Sequence, residues 1–137
     1  MAQNRLLVDA NILVRFFTGE PPEMAEKVYR LVEKADRGEV VLVVFPVILL
    51  EAFYTLKSYY EMPQKEIAEK LSAFIQSRGV EAVESARLVN ALSRCAEKNA
   101  HLADAYLAAA SVELKNAVSS FDADFKKFKD VERIEPE

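Results

Sequence analysis

Apolar and polar positions divide the chain into short runs of two kinds. Arg5 to Val8 is an apolar run that ends at Asp9 and reads as a first strand. Asp9-Ala10-Asn11 then opens a short apolar helix, Ile12 to Phe17, which Gly19 and the Pro21-Pro22 pair stop. A second helix carries Met24, Ala25, Val28, Leu31, Val32 and Ala35 on one face at helical spacing, with Gly38 as its natural stop. Val40 to Phe45 is a continuous β-branched and aromatic run, the pattern of a strand buried on both faces. Pro46 starts a helix that runs to about Tyr60, and Pro63 sits at the start of the next. That helix turns Ile67, Leu71, Phe74 and Ile75 inward and ends by Gly79.

The same reading continues to the end of the chain. Val80 to Val83 forms a short strand, and Ser85 can cap a helix with Leu88, Val89, Leu92, Cys95 and Ala96 on its inner face. Leu102 to Leu114 is an alanine-rich helix. Ala117 to Ser120 reads as a strand ending at Phe121-Asp122, and Val131 to Ile134 as a last edge strand. Strands alternating with helices predict one α/β domain over residues 1–137, with a central, mainly parallel sheet and helices on both faces. Ligands of such sheets bind beyond the carboxyl ends of the strands. Asp9 and Asp122 both follow strand runs and are expected at that edge.

Composition narrows the chemistry. A chain of 137 residues, 51% hydrophobic, suits a single core. The one cysteine excludes an intramolecular disulfide, so an intracellular, cytoplasmic setting is expected. No signal peptide is read at the N-terminus. The longest apolar run, Val40 to Leu50, is too short to span a membrane. The net charge of −4 argues against a broad basic surface. Setting aside Asp9, Glu51, Asp104 and Asp122, however, leaves 18 acidic against 18 basic residues.

Those four acids are the candidate chemistry, and each has a plainer reading. Glu51 lies in Val47-Ile48-Leu49-Leu50-Glu51-Ala52-Phe53-Tyr54, apolar almost all round, where a buried carboxylate needs a partner or a function. It is either a ligand or a member of one exposed stripe. Asp104 can simply complement the dipole in a first helical turn. Asp9 can cap the helix after it, and Asp122 can cap the segment Asp124 to Phe128. Together the four have a shared logic: converging carboxylates raise one another's pKa or bind a cation. Oxygen ligands suit hard divalent ions, which activate water for attack on a phosphodiester.

Other chemistries lack their residues. His101 is the only histidine, which excludes paired-histidine cleavage, and it reads as a helix-start residue. Cys95 reads as core. Three glycines make no phosphate loop. A phosphoacceptor receiver domain needs adjacent acids after the first strand, and a haloacid-dehalogenase-type phosphatase needs Asp-x-Asp there; this chain has Asp9-Ala10-Asn11. The basic run Lys126-Lys127…Lys129 reads as solvated surface that can also touch RNA phosphates, and Arg15 is a weaker candidate of the same kind.

Four segments then stand out in order: Leu7-Val8-Asp9-Ala10-Asn11-Ile12-Leu13, Pro46-Val47-Ile48-Leu49-Leu50-Glu51, Ala103-Asp104-Ala105-Tyr106-Leu107-Ala108-Ala109 and Ser120-Phe121-Asp122-Ala123-Asp124-Phe125. In these the chain resembles PIN-domain ribonucleases, particularly the VapC-type toxins of type II toxin–antitoxin systems. The resemblance covers nearly the whole chain. It implies a three-layer α/β/α domain with a twisted central sheet and an acidic pocket binding Mg²⁺ or Mn²⁺. Its metal and catalytic acids match Asp9, Glu51, Asp104 and Asp122. Asn11 matches a polar residue that orients the first acid, Ser120 a supporting hydroxyl, and Asp124 an accessory acid. Ala10 departs from the hydroxyl residue common after the first acid. The resemblance further implies an RNA substrate, a homodimer and a cognate antitoxin protein. A housekeeping RNA-processing nuclease and a non-catalytic PIN-fold interaction module are the alternatives. The helices from Pro46 to Tyr60 and from Ser85 to Asn99 carry more apolar surface than one small sheet needs. Part of it, including some of Phe53, Tyr54, Tyr59 and Tyr60, is expected in a two-fold homodimer interface, and Phe16, Phe17 and Met24 at the antitoxin groove.

Overall fold

The computed structural model describes residues 4–137. The elements run β1 (Arg5–Leu7), α1 (Ala10–Thr18), α2 (Pro22–Asp36), β2 (Val41–Val44), α3 (Pro46–Ser58), α4 (Gln64–Ile75), β3 (Val80–Ala82), α5 (Ser85–Lys98), α6 (Leu102–Leu114) and β4 (Val118–Ser119). A 3-10 helix, Ala123–Lys127, and β5 (Arg133–Ile134) complete the chain. All strand pairing is parallel, as the alternation of strands and helices requires. The strands fall into two hydrogen-bonded pieces, β1-β2-β3 and β4-β5.

The central strand of the larger piece is the one with the continuous apolar run. In β2, Leu42, Val43 and Val44 are all buried, with Leu6 paired to Leu42 on one side and Leu42 to Val80 on the other. β1 differs from its apolar sequence: among the described residues it pairs only with β2, and Leu7 is 70% exposed. Its side chains lack a covering neighbour because an edge strand is packed on fewer sides. An Arg5–Glu81 ion pair reaches from one edge strand to the other.

Helical spacing sets the rest of the core. Leu49, Ala52, Phe53 and Leu56 of α3 repeat at one helical face and are buried. The placement of Phe53 corrects an expectation. It is fully buried within the chain, so it drops out of the four aromatic residues from which interface contacts are expected; Tyr59 is exposed, and Tyr54 and Tyr60 are half-buried. Phe53 sits on the inward stripe, whereas Tyr59 lies beyond the last helical turn. α4 packs Ile67, Ala68, Leu71, Phe74 and Ile75 inward, and α5 packs Leu88, Ala91, Leu92 and Cys95. Ala105, Ala108 and Ala109 bring α6 close to its neighbours.

The start of α5 is a second correction. Ser85 is the first helical residue and not the cap; Glu84 holds the cap position in a left-handed conformation (φ 61°) with no side-chain cap bond. The start of α5 is instead tied to α6 through Arg87. Its guanidinium bonds Glu84 at 3.2 Å and Glu113 at 2.7 Å, and lies over the Tyr106 ring. Farther along α5, Arg94 grips Asp130 through two bonds of 2.8 and 2.6 Å. With Phe125 and Phe128 buried, that clamp anchors the segment after β4, which carries two candidate acids.

Candidate active site

Asp9 is placed by two local rules. The chain leaves β1 extended, so Asp9 has ψ 176° and becomes the N-cap of α1. Its Oδ1 accepts the Ile12 amide hydrogen at 3.2 Å. The capping role is therefore real, and the side chain remains exposed. Asn11 is exposed in the first turn of α1; the bond that orients Asp9 comes from the Ile12 backbone.

Glu51 lies on the face of α3 opposite Leu49, Ala52, Phe53 and Leu56, and is exposed. Its apolar sequence surroundings point elsewhere around the helix. The exposed-stripe reading accounts for how this carboxylate escapes burial.

Asp104 stands in the first turn of α6, half-buried. Burial is the main cause that raises its pKa above the ordinary carboxylate value. The charge of Asp122 raises it further, and Asp124 adds to that. His101, when protonated, and Lys127 pull in the opposite direction. Three acids from α6 and from the segment after β4 are thus brought within electrostatic reach of one another. Asp9 and Glu51 are not among the largest causes of this shift.

Asp122 is held on both sides. Its backbone N–H donates to Ser120 Oγ at 2.9 Å, and its Oδ1 accepts from the Asp124 amide at 2.8 Å, capping the 3-10 helix. Ser120 is tied in turn: its carbonyl accepts from Arg133 of β5 at 3.0 Å. Ser120 thus supports an acid, through that acid's backbone. Asp124 is exposed at the start of the 3-10 helix.

The donor set suits a hard divalent cation in kind, because every candidate ligand offers carboxylate oxygen. The mutual repulsion at Asp104 is what a cation would relieve. Among the described residues, no three His, Cys, Asp or Glu side chains stand close enough to share one ion. Cys95 takes no part: its thiol donates to the Ala100 carbonyl at 3.0 Å, and burial pushes its pKa up to about 11. Arg15, in the last turn of α1, is half-buried, and its Nε has no hydrogen-bond partner among the described residues.

Two contacts near the acids carried no sequence signal. His101 does stand at the start of α6, as read from the sequence, and its Nδ1 lies 3.3 Å from Lys57 Nζ of α3. Lys127 donates to the Asn99 carbonyl at 3.3 Å. Both contacts join positions far apart in the chain, which local pattern cannot pair.

Among the described residues no helix is long and apolar enough to cross a membrane. No curated protein matches the chain. The PIN domain model matches residues 6–131 and so takes in all four candidate acids. PIN domains are generally nucleases and generally use divalent metal ions. Parallel strands, flanking helices and a match over nearly the whole length agree with the three-layer α/β/α PIN fold, and the chain belongs to the PIN domain family.

Proposed function

We propose that this PIN domain is a Mg²⁺- or Mn²⁺-dependent endoribonuclease acting as the toxin of a toxin–antitoxin pair. The observation that carries the nuclease reading is Asp104. A half-buried carboxylate held beside Asp122 and Asp124 works against its own ionisation, and such groups concentrate at functional sites. Asp9, Glu51, Asp104 and Asp122 would hold the cation, with Asn11, Ser120 and Asp124 in support. When bound, the ion supplies an activated water and neutralises charge on the phosphoryl oxygens. The chain's own part is positioning. Ser120 fixes the Asp122 backbone, and the Ile12 amide fixes one Asp9 oxygen.

Cleavage of an RNA oligonucleotide is the test. Activity should fall to background in chelator and return with excess Mg²⁺ or Mn²⁺. Full cleavage in chelator would overturn the proposal. The alternative of a non-catalytic interaction module draws support from the lack, among the described residues, of three acids near enough to share an ion. It predicts no cleavage with either metal. A small neighbouring reading frame encoding a DNA-binding antitoxin separates a toxin from a housekeeping nuclease.

The proposal includes a two-fold homodimer and an antitoxin groove. The start of α3 and the exposed side of α6 enclose a cavity of about 350 Å³ lined by Pro46, Val47, Leu50, Tyr106 and Leu107 among others. Val47 is 68% exposed there and Leu107 48%, apolar area of the kind a second copy covers. Light scattering at micromolar concentration should give twice the 15.4 kDa chain mass; a monomer would remove this part of the proposal. Half-buried Phe16 and Phe17, in edge-on or tilted contact with Tyr29 and Phe74, together with exposed Met24, are the proposed antitoxin contact.

A further inference from the structure

We infer that Lys57, His101 and Lys127 form a binding wall for RNA-backbone phosphates beside Asp104, an assignment that rests on the ribonuclease reading. Three separate elements supply these groups: α3, the residue preceding α6, and the 3-10 helix. Lys57 Nζ donates to His101 Nδ1 at 3.3 Å, which leaves the imidazole hydrogen on Nε2. Lys127 Nζ donates to the Asn99 carbonyl at 3.3 Å. Lys127 stands near enough to Asp104 for its charge to act on the carboxyl group, and His101 precedes Asp104 by three residues at the start of the same helix. The Tyr54 ring flanks His101, with centroids 6.4 Å apart.

The partners of these two lysines are neutral and tie them to neighbouring positions, His101 and Asn99. Arg5, Arg30, Arg37, Lys70, Arg87 and Arg94 each pair with a carboxylate. Among the described residues Lys57 and Lys127, like most of the other lysines and arginines, pair with none; what sets these two apart among the lysines is that each is held by a neutral acceptor, an imidazole nitrogen and a carbonyl. A neutral acceptor leaves the full positive charge in place. An ammonium has three donors, so each lysine retains hydrogens for an external anion. Acids that bind a cation next to ammonium groups that bind an anion match a phosphodiester strand, in which one phosphate reacts while its neighbours are gripped. Phosphate contacts of this kind position a strand without reading its sequence.

The test uses the full chain with Asp104→Asn, so that RNA is bound and not consumed, and follows fluorescence anisotropy of a single-stranded RNA across a salt series. Each phosphate contact on a single strand contributes a slope of about 0.7 in log K against log salt. Lys57→Gln and Lys127→Gln should each lower the slope by about that amount and weaken binding roughly fivefold near 0.1 M salt. Lys57→Arg should restore the slope. In the cleaving protein, KM should rise with each Gln variant while kcat changes less. Slopes unchanged in both Gln variants at unaltered melting temperature would overturn the wall, as would wild-type protein that binds no RNA. Inorganic phosphate binding as tightly as the RNA at constant ionic strength would place a free-phosphate site here and overturn the backbone assignment. Slope losses as expected in a protein that never cleaves RNA would support the wall and refute the nuclease reading.

Discussion

Asp104→Asn should abolish RNA cleavage and raise the melting temperature of the metal-free protein. Both effects come from one cause. Burial first, and then Asp122 and Asp124, raise the pKa of Asp104 in the folded state. The folded protein therefore holds this proton more tightly than the unfolded chain. Ionised Asp104 costs stability at every pH above its folded-state pKa, and the cost disappears below its unfolded-state value. An amide carries no charge, so the variant should melt higher at neutral pH. Its advantage should shrink as the pH falls into the ordinary carboxylate range. Cleavage should drop by about 100-fold or more, the scale of losing a positioned catalytic group. Asp9 offers a matched comparison. Asn caps a helix about as well as Asp, so Asp9→Asn should lose activity and keep its stability. Asp9→Ala should lose the cap as well, at a further cost of about 1 kcal/mol. Thermal melting across pH, with RNA cleavage in parallel, checks all three variants. An active Asp104→Asn protein, or one whose melting gain persists at low pH, would refute the assigned role.

Gly79→Ala should cause the largest stability loss of any added methyl group. Gly79 joins the end of α4 to β3 at φ +81°, a conformation that other residues rarely adopt. A Cβ there would lie 2.2 Å from the Ala35 carbonyl oxygen and 2.5 Å from its carbon. Both are backbone atoms at the end of α2, and no side chain can swing aside to make room. Nor can Gly79 retreat, because its own carbonyl accepts the Leu42 amide hydrogen at 2.8 Å from the central strand. Left-handed strain and overpacking together amount to about 2–5 kcal/mol. That is a large share of a typical domain stability of roughly 5–15 kcal/mol. Gly38→Ala is the control. It shares the φ of +81° and has nothing within 4 Å, so it should cost only about 1–2 kcal/mol. Equilibrium denaturant unfolding separates the two. Equal costs would mean that the Ala35 carbonyl yields.

Much of the molecule follows from local pattern. Helical spacing of Leu49, Ala52, Phe53 and Leu56 specifies a buried face, and the run Val41–Val44 specifies a central strand. The positions of Asp9 and Asp122 after apolar runs mark both as caps, which they are. Gly38 ends α2 as its position implies, and Cys95 is core. These features depend on neighbours within a turn or two, so the residues that cause them are adjacent in the sequence.

Other features depended on what each face meets. Periodicity shows that Phe53 lies on an apolar stripe; only packing shows that the stripe is covered by the chain's own core. An apolar run marks β1 as a strand, yet pairing on one side alone leaves Leu7 at the surface. Glu51 faces outward because the direction of the whole helix is set by its other side chains. The raised pKa of Asp104 comes from burial and from acids on a different element. The Lys57–His101 contact spans 44 residues. Sequence determined which surfaces are apolar and which residues bear charge, since those are properties of the residues themselves. Tertiary structure decided which surfaces are covered and which charges meet, because burial and Coulomb interaction depend on distance through space and not along the chain.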